Sequence, residues 1–95
     1  MATVVLTSVA ARDLARVQDW LLQPGSGRRA KKKAQHIVAA IQTLATDAGV
    51  HSNDPFGPGN RRLIVEDHVV SYRQVWRAEV EFVFVERIFG PGQQR

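Results

Sequence analysis

From Arg61 onward the chain carries three apolar, β-branched runs separated by gaps that leave room only for hairpin turns. Residues 62–66, 69–76 and 80–89 have the composition and alternation of strands, with Asp67-His68 and Arg77-Ala78-Glu79 between them. Gaps this short force antiparallel pairing, because a parallel return needs a dozen residues or more. The stretch therefore predicts a three-stranded meander. In its last strand Val80, Phe82, Phe84 and Ile88 share one face, and Val83, Val85 and Phe89 the other. Two apolar faces predict a strand inside the sheet that needs cover on both sides.

The preceding residues supply one cover. Residues 3–7, Thr-Val-Val-Leu-Thr, suit a short strand, and Ser8 or Thr7 can cap the segment after it. Ala10, Leu14, Val17 and Leu21 then recur at helical spacing, which predicts a helix over 9–22 ended by Pro24-Gly25. Ala30, Ala34, Ile37, Ile41, Leu44 and Ala48 form a second seam, which predicts a helix over 28–48 stopped by Gly49. The short link makes the two an antiparallel helical hairpin. Residues 49–60, with their Gly and Pro, read as a loop. The expected fold is α+β, in the order β-α-α-β-β-β, as a single domain over 1–95. A hairpin of helices covers only one face of a small sheet, so the other is left for a partner or a second copy.

Charge narrows the partner. Thirteen Lys and Arg against nine Asp and Glu give +4. Five of the thirteen lie together as Arg28, Arg29, Lys31, Lys32 and Lys33, and without them the chain would be slightly acidic. They stand in the first turns of the second helix, where the macrodipole favours acids and each cation costs roughly 0.3–1 kcal/mol at low salt. A patch so placed suits a polyanion or an acidic protein segment. The competing reading is a solvated helix face, with the Lys31 stem lying along the apolar seam. A module that simply binds nucleic acid through this patch is one function to test.

Chemistry is sparse. There is no cysteine, hence no disulfide and no thiolate site. His36, His51 and His68 fall on a helix, a loop and a turn without metal-ligand spacing, and neither metal nor cofactor is expected. Gly57-Pro58-Gly59 precedes a strand, unlike a phosphate-binding loop. Arg62, Arg73 and Arg87 stand on successive strands, where they can gather beside Val83, Val85 and Phe89 to take an amphipathic segment. They can equally pair with Glu66, Glu81 and Glu86. Tyr72 and Trp76 share a face, and Tyr72 is expected against the helices. No apolar run nears the ~20 residues of a membrane span. The opening MATVVLTSVAAR carries no basic leader, so a cytoplasmic location is expected.

Four local patterns go further. SVAARDLARVQDWL, with Trp20 near its end, is similar to the opening helix of ParE-type toxins. Arg62-Leu63 resembles the family's entry into its second strand, and Val70-Ser71-Tyr72-Arg73 its third. Arg87-Ile88-Phe89-Gly90-Pro91-Gly92-Gln93 resembles its ending. With the order of elements, the chain resembles the RelE/ParE superfamily of type II toxin–antitoxin systems. The resemblance implies a cognate antitoxin as partner, and Lys31, Lys32, Lys33, Arg62, Arg73, Val83, Val85, Arg87 and Phe89 as candidate contacts for antitoxin or target. RelE-like members cleave messenger RNA on the ribosome, whereas ParE-like members inhibit DNA gyrase by binding. In the RelE-like pattern an arginine stands three residues before the strand tyrosine, and a Tyr or His near the C-terminus acts as acid. Here those places hold Val69 and the run Phe89-Gly90-Pro91. The departure favours the ParE-like branch with no catalytic residues; the mRNA endonuclease remains the alternative.

Overall fold

Thr7 both ends the first strand and starts the first helix. Its backbone N–H donates to the Val85 carbonyl at 3.0 Å, its hydroxyl donates to the Glu86 carbonyl at 3.2 Å, and its Oγ1 accepts from Ala10 N–H at 3.1 Å. A threonine at this position satisfies one of the donors that every helix start leaves open. The computed structural model describes residues 1–93. Its elements are β1 (Thr3–Leu6), α1 (Ser8–Leu21), α2 (Gly27–Gln42), α3 (Leu44–Asp47) with a 3₁₀ turn Ala48–Val50, β2 (Arg61–Val65), β3 (His68–Arg77) and β4 (Val80–Phe89). The order is the one expected.

The second helix departs from expectation in the middle. Thr43 donates its hydroxyl to the Ala40 carbonyl, and its N–H is shared between Ala39 and Ala40 at 3.2 Å each. A threonine that bonds back to the preceding turn bends a helix, and here the predicted 28–48 segment divides into α2, α3 and the 3₁₀ turn. The apolar seam survives the bend: Ala34, Ile37, Ile41, Leu44 and Ala48 are all buried.

The sheet runs β1-β4-β3-β2. β2, β3 and β4 form the antiparallel meander, but β1 lies parallel to β4, with Val4 opposite Val83 and Leu6 opposite Val85. The sheet is therefore mixed. This follows from the crossover: α1 and α2 carry the chain from β1 to the far edge, and the meander brings it back beside its start. β4 is an inner strand, as its two apolar faces predict.

Both hairpins close through two residues with positive φ, Glu66 (50°) and Asp67 (60°), then Ala78 (49°) and Glu79 (66°). That is the pattern of type I′ turns, whose twist matches the strands they join. The first turn sits one residue earlier than expected, and His68 belongs to β3. Its Nδ1–H donates to the Glu66 carbonyl at 2.7 Å.

A bulge resets the faces of β4. Ser71 pairs with Arg87 but Tyr72 pairs with Val85, so Glu86 is the extra residue. Beyond it the alternation shifts by one. Ile88 joins Val83 and Val85 on the inner side, contrary to the grouping with Phe82 and Phe84 that strict alternation predicts. Ile37, Leu44, Val70, Tyr72, Val83, Val85 and Ile88 form the fully buried centre between sheet and helices. Val83 and Val85 are thus core residues and present nothing to a partner, which corrects their expected place on a docking face. Alternation separates the two faces of a strand, but it does not say which one the helices take.

Candidate docking surfaces

The face left open is the one that carries Phe82 and Phe84. Strand register places Thr3, Phe82 and Val75 on one rung and Val5, Phe84 and Arg73 on the next. The two phenylalanine rings lie nearly parallel, 6.0 Å apart at 17°. With half-buried Val5 and Val75 they form an apolar strip across three strands, bounded on β3 by exposed Arg73. These four apolar residues were not among the expected contacts. Their signal lay in the alternation itself, read on the wrong side.

The rest of that face is roofed by the 53–60 loop. Ser71 donates to the Asp54 carboxylate at 2.8 Å. Asn60 Nδ2 donates to the Ser71 hydroxyl at 3.1 Å and to Glu86 at 2.7 Å. Asp54 also accepts from Phe56 N–H at 3.0 Å, which holds the loop's turn. Buried polar groups require such mutual satisfaction. The bulge at Glu86 lets its carboxylate reach both Asn60 and, at 3.6 Å, Arg73.

The three sheet arginines do not gather into one cluster. Arg73 pairs with Glu86 on the open face. Arg62 is half-buried beside Ser71, and its Nε is buried with no hydrogen-bond partner among the described residues. Arg87 points to α1, where its Nε meets Asp13 at 2.9 Å and its guanidinium lies 4.8 Å above the Phe89 ring. Asp13 is 3 % exposed and also accepts the Ile88 N–H at 2.9 Å. The reason is topological: β1 ends at Leu6, so β4 has no neighbouring strand there, and a helix carboxylate takes over its free donor. Arg87 and Phe89 therefore belong to a joint between α1 and β4.

The lysine cluster divides around α2. Lys31 borders a shallow groove of about 300 Å³ between the helices, with Leu22, Ala34 and Val38 among its walls. Val38 also lines a neighbouring hollow with Val4, Leu6, Leu14 and Ile41. Lys32 and Lys33 face the opposite way, with Arg28, Arg29 and His36, towards the β2–β3 turn. There His36 Nδ1–H donates to the Glu66 carboxylate at 2.9 Å, and that bond, with nearby Lys33, holds the Glu66 carboxyl below its ordinary value.

Tyr72 is wholly buried and donates its hydroxyl to the Ala48 carbonyl. Burial pushes its pKa up to about 12. Such a phenol is a poor proton donor or acceptor at neutral pH. Trp76, on the same side of β3 but past the end of the helical layer, is 65 % exposed. Trp20 is exposed at the end of α1, beside His68, Gly90 and Pro91.

Comparison with known proteins adds a family and a fold. The sequence profile described as "ParE toxin of type II toxin-antitoxin system, parDE" matches residues 4–88. Among curated proteins none matches. A solved structure entitled "Chromosomal ParDE TA system from P. aeruginosa" superposes with a TM-score of 0.74 at 23% identity, covering 96% of this chain and 97% of that one.

Proposed function

This chain belongs to the ParE family of toxins of type II toxin–antitoxin systems, and we propose that it inhibits DNA gyrase by binding and is silenced by a cognate antitoxin in the cytoplasm. The observation that carries this reading is the family match over residues 4–88. Three features of the molecule support it. An apolar strip on the open sheet face and an apolar groove between the helices are both of a kind that a partner covers. Tyr72, the most acidic hydroxyl that a strand of this sheet offers, is sealed in the core. The segment Phe89-Gly90-Pro91-Gly92 brings no acid or base, whereas a metal-independent ribonuclease needs both within hydrogen-bond reach of the reacting oxygens.

In this reading the antitoxin lays an amphipathic segment over Phe82, Phe84 and Val75, with an acidic residue on Arg73. Interfaces concentrate their energy in a few well-packed aromatic anchors. Phe84, at the centre of the strip, is expected to be one. Phe84→Asp should weaken antitoxin binding about 30-fold or more, the consequence of losing about 2 kcal/mol at an anchor. Unaltered affinity in a calorimetric titration would remove the strip from the interface.

Induction in growing cells separates this function from ribosome-dependent cleavage. Expression of the chain without its antitoxin should stop growth and raise DNA-damage signalling, with full-length transcripts. Discrete cuts within translated codons, mapped by primer extension, would instead favour the nuclease.

A further inference from the structure

The basic side of α2 faces away from both apolar surfaces. Arg28, Arg29, Lys32, Lys33 and His36 stand on two adjacent lines of the helix, at spacings of four, and surround an open cavity of about 780 Å³ closed on the far side by Glu66. Every side chain that lines this cavity is polar and titratable; none is aliphatic, and its one ring is the His36 imidazole. Three cations elsewhere do meet acids: Arg73 has Glu86, and Arg87 and Arg16 have Asp13. Among the described residues Arg28, Arg29, Lys32 and Lys33 form no ion pair, and the single acid of the cavity is already held by His36. The first turn of α2 has no acidic residue and no side-chain cap. Four unneutralised cations are thus held together where the helix dipole makes them least comfortable.

We propose that this face of α2 binds the phosphodiester backbone of duplex DNA. The lining decides the chemistry of the ligand. A protein segment would want apolar side chains to anchor on as well as charge, and the apolar surface of this cavity comes only from the stems of its charged residues. Single-stranded nucleic acid would want a run of aromatic platforms for its successive bases, and the cavity has only the His36 imidazole, tied to Glu66. A duplex keeps its bases stacked and presents phosphates alone. From Arg28 to His36 the stripe runs two helical turns, roughly 12 Å at helical rise, which matches a few consecutive phosphates of one strand. The arginines can take phosphate oxygens bidentately, and the lysines act as point charges. Glu66 sets an upper limit on affinity, since its carboxylate stands at the edge of the same cavity. This function does not depend on gyrase as target: the chain can bind duplex without inhibiting the enzyme, and the reverse.

The test is a fluorescence-anisotropy titration of the full chain on a labelled duplex of mixed sequence, repeated across salt concentrations. Four phosphate contacts give a log–log salt slope of about −3.6. Lys33→Glu and Lys31→Glu make the same change in net charge two residues apart, about 200° around α2 and so on opposite sides of it. At about 50 mM salt the first should lose about tenfold or more in affinity, as expected for at least one phosphate contact removed. The second should lose less than about threefold, the share due to long-range potential alone. Glu66→Gln should tighten binding, an outcome that no loss of folding can imitate. Circular dichroism would establish that the variants keep the fold. Equal losses for the two lysine variants, absence of duplex binding at low salt, or tighter binding of single-stranded RNA than of duplex would overturn the proposal.

Discussion

Tyr72 and Asp13 show how single residues hold this small fold in place. Tyr72 ties β3 to the 3₁₀ turn through one hydroxyl, donated to Ala48. Tyr72→Phe should cost about 1 kcal/mol in urea unfolding, with more if the Ala48 carbonyl is left dry. The pH dependence has a definite sign. The folded-state pKa is raised above the ordinary 10.0 to about 12, so the protonated phenol's contribution is intact below the unfolded value and disappears as pH climbs to the folded one. Stability should therefore decline between about pH 10 and 12, and Tyr72→Phe should flatten that decline. Asp13 serves Arg87 and the Ile88 N–H together. Asp13→Ala leaves a buried donor unpaired and should destabilise by about 1–3 kcal/mol. A melting curve unchanged by it would mean that water replaces the carboxylate. Tyr72 was expected against the helices, but the role of Asp13 was not read from the sequence, where Arg87 looked like a surface contact. Partners 74 residues apart leave no local pattern.

At the scale of elements the periodic signals were sound and the local irregularities were not. The helical stripe of α1, the seam of α2 and three strands separated by short gaps all carry their own signature. What escaped were three interruptions that one or two residues impose: the Thr43 bend, the Glu86 bulge and the placement of the first hairpin turn. The turn was displaced because Glu66-Asp67 lacks the Asn-Gly signature that marks a type I′ turn. Non-glycine residues held at positive φ cost on the order of 1–2 kcal/mol each, and both hairpins carry two. Replacing Ala78-Glu79 by Asn-Gly should therefore raise the urea midpoint, by about 1 kcal/mol of stability or more, with the m-value unchanged. Loss of stability on that exchange would mean that Ala78 and Glu79 make compensating contacts at the hairpin tip.

The whole molecule presents three separate surfaces: an apolar strip on the open sheet face, an apolar groove between the helices, and a charged cavity on the outer side of α2. The need for a second cover was legible in the two apolar faces of β4. Which face stays open was not, because the bulge and the packing of Val83 and Val85 under the helices settle that in three dimensions. The run of basic residues was equally legible, but its division was not. Only the helical geometry sends Lys31 to one surface and Lys32 and Lys33 to another. The family resemblance read from four local patterns agrees with the match over residues 4–88, and the step from family to target is the part still to be measured.

That step is decided by the supercoiling of relaxed plasmid by purified gyrase in the presence of the refolded chain. Inhibition should rise with toxin concentration and be reversed when the cognate antitoxin is added in equal amount. Full supercoiling at a large molar excess of folded chain would rule out gyrase as the target.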